Sequence, residues 1–359
     1  MDDPRQVPAT TIGNGFQIKK MATGLWQVAG GHGEIHFDRA VEAMRKIYDE
    51  GFTTFDMADH YGAAEDIAGA MQSQLLKERP EAEKPQIMTK WVPEPGDMSS
   101  RVVRDAVHRA RSRLQSDRVD VLQFHWWDYL DPGYLVAMEE LAKLKQQGLI
   151  GELSLTNFDT AHTRILIELG LPIATNQVHY SLLDDRPAGA LTELCKSSGM
   201  RLLSYGTVAG GFFSERWLGR DEPTNDEIAG NRSLMKYHRF ITAIGGWDYF
   251  QRLLSVLNEI AAKHSVGISN VAVRWVMDQP AVASVLVGAR LGLSEHLAEN
   301  RRTFDLKLEE EDFEAIAEVR KEAKAIPGDS GDEYRRPPYL TGTGDLSDHK
   351  THAWRMPLV

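Results

Sequence analysis

Eight short apolar runs, rich in β-branched residues, alternate with longer segments of helical periodicity along this chain. That alternation is what most limits its fold. The runs are 21–29 (MATGLWQVA), 53–58 (TTFDMA), 86–92 (QIMTKWV), 119–125 (VDVLQFH), 150–157 (IGELSLTN), 173–180 (IATNQVHY), 201–207 (RLLSYGT) and 282–289 (VASVLVGA). Near-continuous apolar runs suit parallel strands covered on both faces. Between them, apolar residues recur at i, i+3 and i+4 over 38–49, 99–114, 133–147, 159–170, 188–199, 293–304 and 309–324. Gly51, Gly148, Gly170 and Gly199 stand where such helices would stop. Further helices are expected at 246–264 and 268–278, after a long segment, 208–245, that reads as an enlarged loop. A crossover helix lets successive strands lie parallel, with right-handed connections, and eight such units close into a barrel. No run is followed by G-x-G-x-x-G, since AGGHG (29–33) and AGG (209–211) do not fit it. This argues against an open dinucleotide-binding sheet. The expectation is an α/β fold, a (β/α)8 TIM barrel over 1–326. GNGFQIKK (13–20) adds an N-terminal hairpin with an Asn-Gly turn. An irregular C-terminal tail follows over 327–359, with Tyr339 and Trp354 as candidate docking anchors.

Composition removes several alternatives. A 42% hydrophobic, 26% charged chain of 359 residues is that of a globular protein, not of a disordered or fibrous one. The net charge of −11 and the lack of any long Lys/Arg run argue against nucleic-acid binding. The single Cys195 excludes a disulfide framework and a cysteine zinc site, and fits a reducing compartment. No apolar run reaches about 18 residues, so no membrane helix is expected. The acidic start, MDDPRQVPATT, does not read as a secretory signal, and the expected location is the cytoplasm. HGEIH (32–36) lacks the H-E-x-x-H spacing, and no metal is expected. Glu309, Glu310, Glu311 and Asp312 read as a solvated helix start that complements the macrodipole.

A β/α barrel carries its site at the carboxyl ends of its strands. Nearly every run here switches there to a hydrogen-bonding or charged side chain. The second run supplies Asp56, with Asp59, His60 and Tyr61 just beyond. The third supplies Thr89 and Lys90, the fourth His125, the fifth Ser154, Thr156 and Asn157. Asn176 and Gln177, Ser204 and Tyr205, and Gly288 and Arg290 complete the set. An Asp, a Tyr, a Lys and a His from adjacent units have a coherent chemistry. Asp56 can hold Lys90 as a cation, and a nearby cation lowers a phenol from its ordinary pKa of about 10. Tyr61 can then act as general acid toward a carbonyl oxygen, with His125 orienting the substrate. No protein nucleophile is needed if hydride comes from a nicotinamide.

At these residues the chain resembles the aldo-keto reductases. FDMADHYG (55–62), MTKW (88–91) and LQFHWWD (122–128) resemble that family's Asp, Tyr, Lys and His motifs in order and spacing. LSLTNFD (153–159), NQVHYSLLDDRP (176–187) and VGARLGLSEHLAEN (287–300) resemble its cofactor-binding segments. The likeness covers roughly residues 10–320. It implies a barrel that reduces aldehydes or ketones reversibly with NADPH, with Asp56, Tyr61, Lys90 and His125 as catalytic tetrad. It also implies carboxamide contacts from Thr156, Asn157 and Gln177, a nicotinamide stacked on Tyr205, and diphosphate contacts near Gly206 and Thr207. Gly288, Arg290, His296, Glu299 and Asn300 would hold the adenosine phosphate end. Thr156 stands where Ser is usual, YGTVAGG replaces Tyr-Ser-Pro-Leu, and His296 stands where Gln is frequent. Arg290, with no acidic residue over 289–294, favours NADPH over NADH. Trp26, Trp91, Trp126 and Trp127 are expected to line a pocket for an apolar or aromatic carbonyl compound. A non-catalytic NADPH-sensing subunit and a barrel hydrolase using Asp56 with a second carboxylate are the alternatives.

Overall fold

The computed structural model describes residues 7–30, 32, 34–294 and 296–335 of the 359. The expected anchors Tyr339 and Trp354 lie outside the described residues. The chain opens with a hairpin of β1 (Ala9–Ile12) and β2 (Phe16–Lys19), paired antiparallel from Ala9↔Lys19 to Ile12↔Phe16. Eight parallel strands then close into a barrel in chain order. They are β3 (Met21–Gly24), β4 (Thr54–Ala58), β5 (Gln86–Trp91), β6 (Val119–His125), β7 (Ile150–Thr156), β8 (Ile173–His179), β9 (Arg201–Tyr205) and β10 (Val282–Gly288), with β10 returning to pair with β3. Each expected run carries its strand. The first is cut short at Gly24, because Trp26–Ala29 turn into a 3-10 helix.

Between strands lie α1 (Phe37–Asp49), α2 (Ala64–Glu78), α3 (Ser100–Arg113), α4 (Gly133–Gln146), α5 (Thr160–Glu168) and α6 (Ala190–Ser198). After β9 come α7 (Asn225–Ile228), α8 (Arg232–Ile244), α9 (Gly246–His264) and α10 (Ile268–Met277), and after β10 α11 (Leu297–Asp305) and α12 (Glu310–Arg320). The 208–245 segment is therefore not a plain loop, since α8 makes up its second half. Asp159 caps α5, its side chain accepting the His162 N–H at 2.7 Å, a bond of the kind worth about 1 kcal/mol. The acidic start of α12 also differs from expectation. Asp312 is buried and accepts from His264 at 2.7 Å and Lys263 at 3.0 Å, tying α12 to α9.

The hairpin closes the amino-terminal end of the barrel. Ile12 and Ile18 bury against Ala22, Met88, Val121, Leu203, Ala283 and Leu286, side chains of the barrel strands. Glu152, near the start of β7, accepts the Asn14 N–H at 2.9 Å and pairs with Lys145 at 2.8 Å. Among the described residues, that end is filled and a cavity opens at the strands' carboxyl ends, where the functional residues were expected.

Part of the expected tail crosses that open end. Residues 329–335 form a strap containing a 3-10 turn at Asp332–Tyr334, and Ser330, Asp332, Glu333 and Tyr334 are buried. Arg186 holds the strap. It donates to Asp329 O at 2.8 Å and to Glu333 Oε2 at 2.7 Å while binding Asp184 through two nitrogens, at 2.8 and 2.6 Å. On the strap's far side, Arg335 donates to the carbonyls of Trp126 (2.9 Å) and Asn157 and lies 4.1 Å above the Tyr129 ring. Apart from that turn, residues 327–335 are irregular, and the groups that bury the strap come from distant parts of the chain.

Candidate active site at the open end of the barrel

In β4, β5, β6 and β8, alternate side chains point into the barrel, which carries Asp56, Lys90, Gln123, His125 and Gln177 inward. Lys90 Nζ lies 2.5 Å from Asp56 Oδ2 and 3.2 Å from Met57 O. Both side chains are about 95% buried, so the ion pair sits in a low-dielectric interior. The other Asp56 oxygen, Oδ1, accepts from Gln123 Nε2 at 2.7 Å and Gln177 Nε2 at 2.8 Å, and Gln177 also donates to Gln123 Oε1 at 2.8 Å. Asp56 thus receives an ammonium and two amides, which fixes its orientation. Tyr61, in the turn after β4, is buried with Lys90 Nζ 5.3 Å from its ring centre and His60 edge-on at 4.8 Å.

One cavity joins these groups. Its lining includes Trp26, Asp56, Tyr61, Lys90, His125, Thr156, Asn157, Gln177, Tyr205, Gly206, Thr207 and Gly288. The tetrad residues named from the resemblance therefore share a single space with all four expected nicotinamide contacts, Thr156, Asn157, Gln177 and Tyr205. Thr156 Oγ1 and Thr207 Oγ1 are buried and meet no hydrogen-bond partner among the described residues. Buried hydroxyls rarely stay unpaired, so two facing one cavity fit a polar ligand there. Asn157 adopts a left-handed φ of 55° and accepts the Tyr205 hydroxyl at 3.0 Å. Gly206 has a φ of 80°, and a Cβ there would stand 2.5 Å from the His179 ring, so only glycine fits. Tyr205 stacks on His179, ring centres 5.6 Å apart at 18°.

The adenosine end divides. Gly288, His296 and Asn300 line a second, smaller cavity with Ser294 and Phe52. Arg290 and Glu299 line neither. Arg290 is exposed and donates to Ser294 Oγ at 3.1 Å. Glu299 turns toward α10, accepting from Ser269 Oγ at 2.8 Å and, through its carbonyl, from Asn270 Nδ2 at 2.8 Å.

The four expected pocket tryptophans also divide. Trp26 lines the cavity, and Trp127 packs beside Tyr334 and Val92 with its ring 6.3 Å from His125. Trp91, Trp126 and Trp127 are not among the residues that line it. Trp91 packs on Phe124 in the core. Trp126 is fully buried, its indole N–H donating to Asp128 O at 2.7 Å and Asp131 O at 3.1 Å. Aromatic residues after a strand end go to the core as readily as to a pocket, and spacing alone does not separate them.

Sequence reading missed three contributors. Gln123 was legible in principle, as a polar residue two positions before His125 in a buried strand. Lys236 on α8 is buried in the cavity wall, its ammonium 2.8 Å from the Tyr334 hydroxyl. Tyr334 stands edge-on to His125, ring centres 5.6 Å apart, and its hydroxyl is 3.3 Å from that of Tyr205. Nothing local marks either residue, since both come from segments read as irregular. His179, Asp184 and Glu333 also converge closely enough to suggest a metal site. The Arg186 guanidinium already fills that place, 2.6 Å from Asp184 and 2.7 Å from Glu333.

Similarity to known proteins agrees with this architecture. The chain is 26% identical over 275 residues to flagellar radial spoke protein 5 of Chlamydomonas reinhardtii, a match covering 66% of this chain and about half (51%) of that protein. It is 23% identical over 331 residues to the NADH-specific methylglyoxal reductase of Escherichia coli strain K12, covering 84% of this chain and 94% of that one. Among solved structures, the glycerol dehydrogenase of Gluconobacter oxydans superposes with a TM-score of 0.71 at 24% identity, covering 92% of this chain and 98% of that chain. The model of the Aldo/keto reductase family matches residues 20–321, most of the sequence and every strand of the barrel, and the chain belongs to that family.

Proposed function

We propose that this protein is an NADPH-dependent reductase of aldehydes or ketones. The observation that carries the reading is the buried Asp56–Lys90 pair with the Tyr61 ring 5.3 Å from the ammonium and His125 lining the same cavity. In this reading Thr156, Asn157 and Gln177 hold the nicotinamide carboxamide, Tyr205 supplies its stacking surface, and Gly206 and Thr207 flank the diphosphate. Gly288, Arg290, His296, Glu299 and Asn300 serve the adenosine end. The bound cofactor supplies the hydride for carbonyl reduction.

The protein's own part is to place and move one proton. Tyr61 donates its hydroxyl proton to the carbonyl oxygen, and the resulting phenolate is favoured by the Lys90 cation. Asp56, clamped by Gln123 and Gln177, keeps Lys90 aimed at that position. His125 orients the carbonyl by hydrogen bonding. The strap and the filled floor limit water around these groups, which strengthens each electrostatic contact. Run backwards, the same groups oxidise an alcohol.

Tyr61→Phe tests the assignment. It should lower kcat by roughly a hundredfold to ten-thousandfold, the usual worth of a positioned general acid. NADPH binding, followed by cofactor fluorescence, should persist. Wild-type turnover in the variant would remove Tyr61 from this role. Tight NADPH binding by the wild type, with no oxidation by any member of a carbonyl panel in stopped flow, would favour a cofactor-sensing subunit instead.

A further inference from the structure

Among the described residues, Gly288 alone lines both the tetrad cavity and the smaller cavity of His296 and Asn300. Beside it stands Gln27, from the 3-10 turn Trp26–Ala29 that follows β3. Gln27 lines the tetrad cavity, and its amide lies directly on Gly288. A Cβ added to that glycine would be 2.8 Å from Gln27 Cδ and 2.9 Å from Gln27 Oε1. Gln27 Oε1 is buried and meets no hydrogen-bond partner among the described residues. The proposed reaction and cofactor contacts do not use this residue.

A buried amide oxygen rarely stays unpaired, and an apolar side chain would fill the same place without that cost. Thr156 Oγ1 and Thr207 Oγ1 are in the same condition in this cavity, but both already have a role in the reading above. The place of Gln27 indicates its partner. In that reading the nicotinamide lies in the tetrad cavity and the adenosine at the smaller one, so the dinucleotide crosses where the two meet, at Gly288. The part that crosses is the diphosphate with its flanking riboses. Diphosphate oxygens only accept hydrogen bonds, whereas ribose hydroxyls also donate them. A carboxamide carries two N–H donors and one accepting oxygen on a single planar group, so it can serve both neighbours at once. Glycine at 288 keeps the crossing open, since a Cβ there would press on the Gln27 amide.

We propose that Gln27 is a cofactor-binding residue at the crossing between the two cavities, its Nε2 donating to a diphosphate oxygen and its Oε1 accepting from a ribose hydroxyl. The proposal rests on the NADPH reading above and deepens it by one residue, supplied by the turn after β3.

The test is calorimetric titration of NADPH into the full-length wild type, Gln27→Met and Gln27→Glu, with thermal unfolding midpoints measured alongside. Gln27→Met keeps the side-chain length and removes both hydrogen bonds. It should raise the NADPH dissociation constant by roughly tenfold to a hundredfold, the range that a hydrogen bond to a charged group supports. Gln27→Glu keeps accepting oxygens but sets a negative charge against the diphosphate, and should weaken binding further than Gln27→Met. Both losses should appear without a matching loss of unfolding midpoint. Affinity that falls only as far as stability does would assign Gln27 to packing and overturn the proposal. So would a Gln27→Glu variant that binds as well as Gln27→Met. A Gln27→Met variant that binds NADPH as tightly as the wild type, or more tightly, would also overturn it, and tighter binding would make Gln27 an obstruction at the crossing. Because binding is read and not turnover, the outcome is separate from the reductase reading. Weaker binding in the order wild type, Met, Glu supports the contact even if no carbonyl is reduced, and unchanged binding refutes it even if many are. A wild type that does not bind NADPH overturns both. If Gln27→Met does not fold, Gln27→Asn, one methylene shorter, should still weaken NADPH binding, and unchanged affinity there counts against the contact.

Discussion

Lys90 Nζ lies 2.5 Å from Asp56 Oδ2, although the two residues are not partners in the β4–β5 ladder, where Lys90 faces Ala58 and Asp56 faces Met88. Asp56 and Ala58 share a strand face, so the long lysine stem reaches back one inward position to find the carboxylate. The pair is thus set by strand tilt and side-chain length together. Asp56→Asn should leave the buried ammonium uncompensated and cost about 3–5 kcal/mol. Urea unfolding would show this as a lower midpoint at unchanged m-value, and a shift below about 1 kcal/mol would mean that water reaches Lys90.

Gln123 is the less visible half of that arrangement. Its amide donates to Asp56 at 2.7 Å and its carbonyl accepts from Gln177 at 2.8 Å, all in the barrel interior. Gln123→Leu keeps the volume but strips both bonds, and should cost about 1–3 kcal/mol. It should also lower carbonyl-reduction kcat more than it raises KM, since Asp56 then aims Lys90 less well. A variant with unchanged kcat would mean that Gln177 alone suffices to hold Asp56.

The barrel strands were legible because each is buried on both faces and so is written as an almost unbroken apolar run. Asp56, Lys90 and His125 were legible because a polar group ending such a run is costly unless it has a task. Helix α2 was not read from periodicity. Its buried face is made of Ala64, Ala68 and Gly69 beside Ile67, Met71 and Leu75, and small residues add little to an apolar pattern. In α8 the buried face is apolar at Leu234, Tyr237, Phe240, Ile241 and Ile244, and the polar Ser233 and Lys236 are buried beside it. Strap residues 329–335 escaped for another reason. Asp329 and Glu333 are held by Arg186, more than 140 positions earlier, and no local signal encodes such a partner.

The lone thiol should be inert in the native state. Cys195 is 2% exposed on α6, and burial pushes its thiol up to about 12 despite Arg201 nearby. The thiolate is the reactive form, so native protein at pH 8 should resist a disulfide-exchange reagent for hours, while protein in denaturant should release one equivalent promptly. Fast native reaction would indicate local opening of α6.

Acid should loosen the strap's anchor. Burial alone would raise the Asp184 carboxyl, but the Arg186 charge and its hydrogen bonds, with His179 beside them, hold it well below the usual carboxylate range. A carboxyl lowered on folding contributes stability that is complete above its unfolded value, about 3.9, and is lost as pH falls through the folded one. Asp184→Asn should therefore be less stable than wild type at pH 7, and the gap should narrow steadily below about pH 4. A gap independent of pH would mean that Asp184 contributes by shape rather than by charge.

Gly331 lies where the strap packs against the barrel mouth, close to the Asn157 backbone. Its φ is 80°, and a Cβ there would lie 2.1 Å from the Asn157 carbonyl oxygen, a backbone atom that cannot turn aside. Asn157 in turn holds the Tyr205 hydroxyl, and the strap carries Tyr334 to within 3.3 Å of the same hydroxyl. Gly331→Ala combines a disfavoured left-handed backbone with an overpacked contact, together about 2–4 kcal/mol against the docked strap. The barrel's own strands do not depend on that contact, so global unfolding should shift less than this. Hydrogen exchange should show faster exchange at 329–335 with the barrel strands protected as before. Trypsin should cut sooner after Arg335, whose side chain would leave the Trp126 and Asn157 carbonyls that it binds in the wild type. Wild-type exchange across 329–335 in Gly331→Ala would mean that the strap can shift along the mouth without undocking.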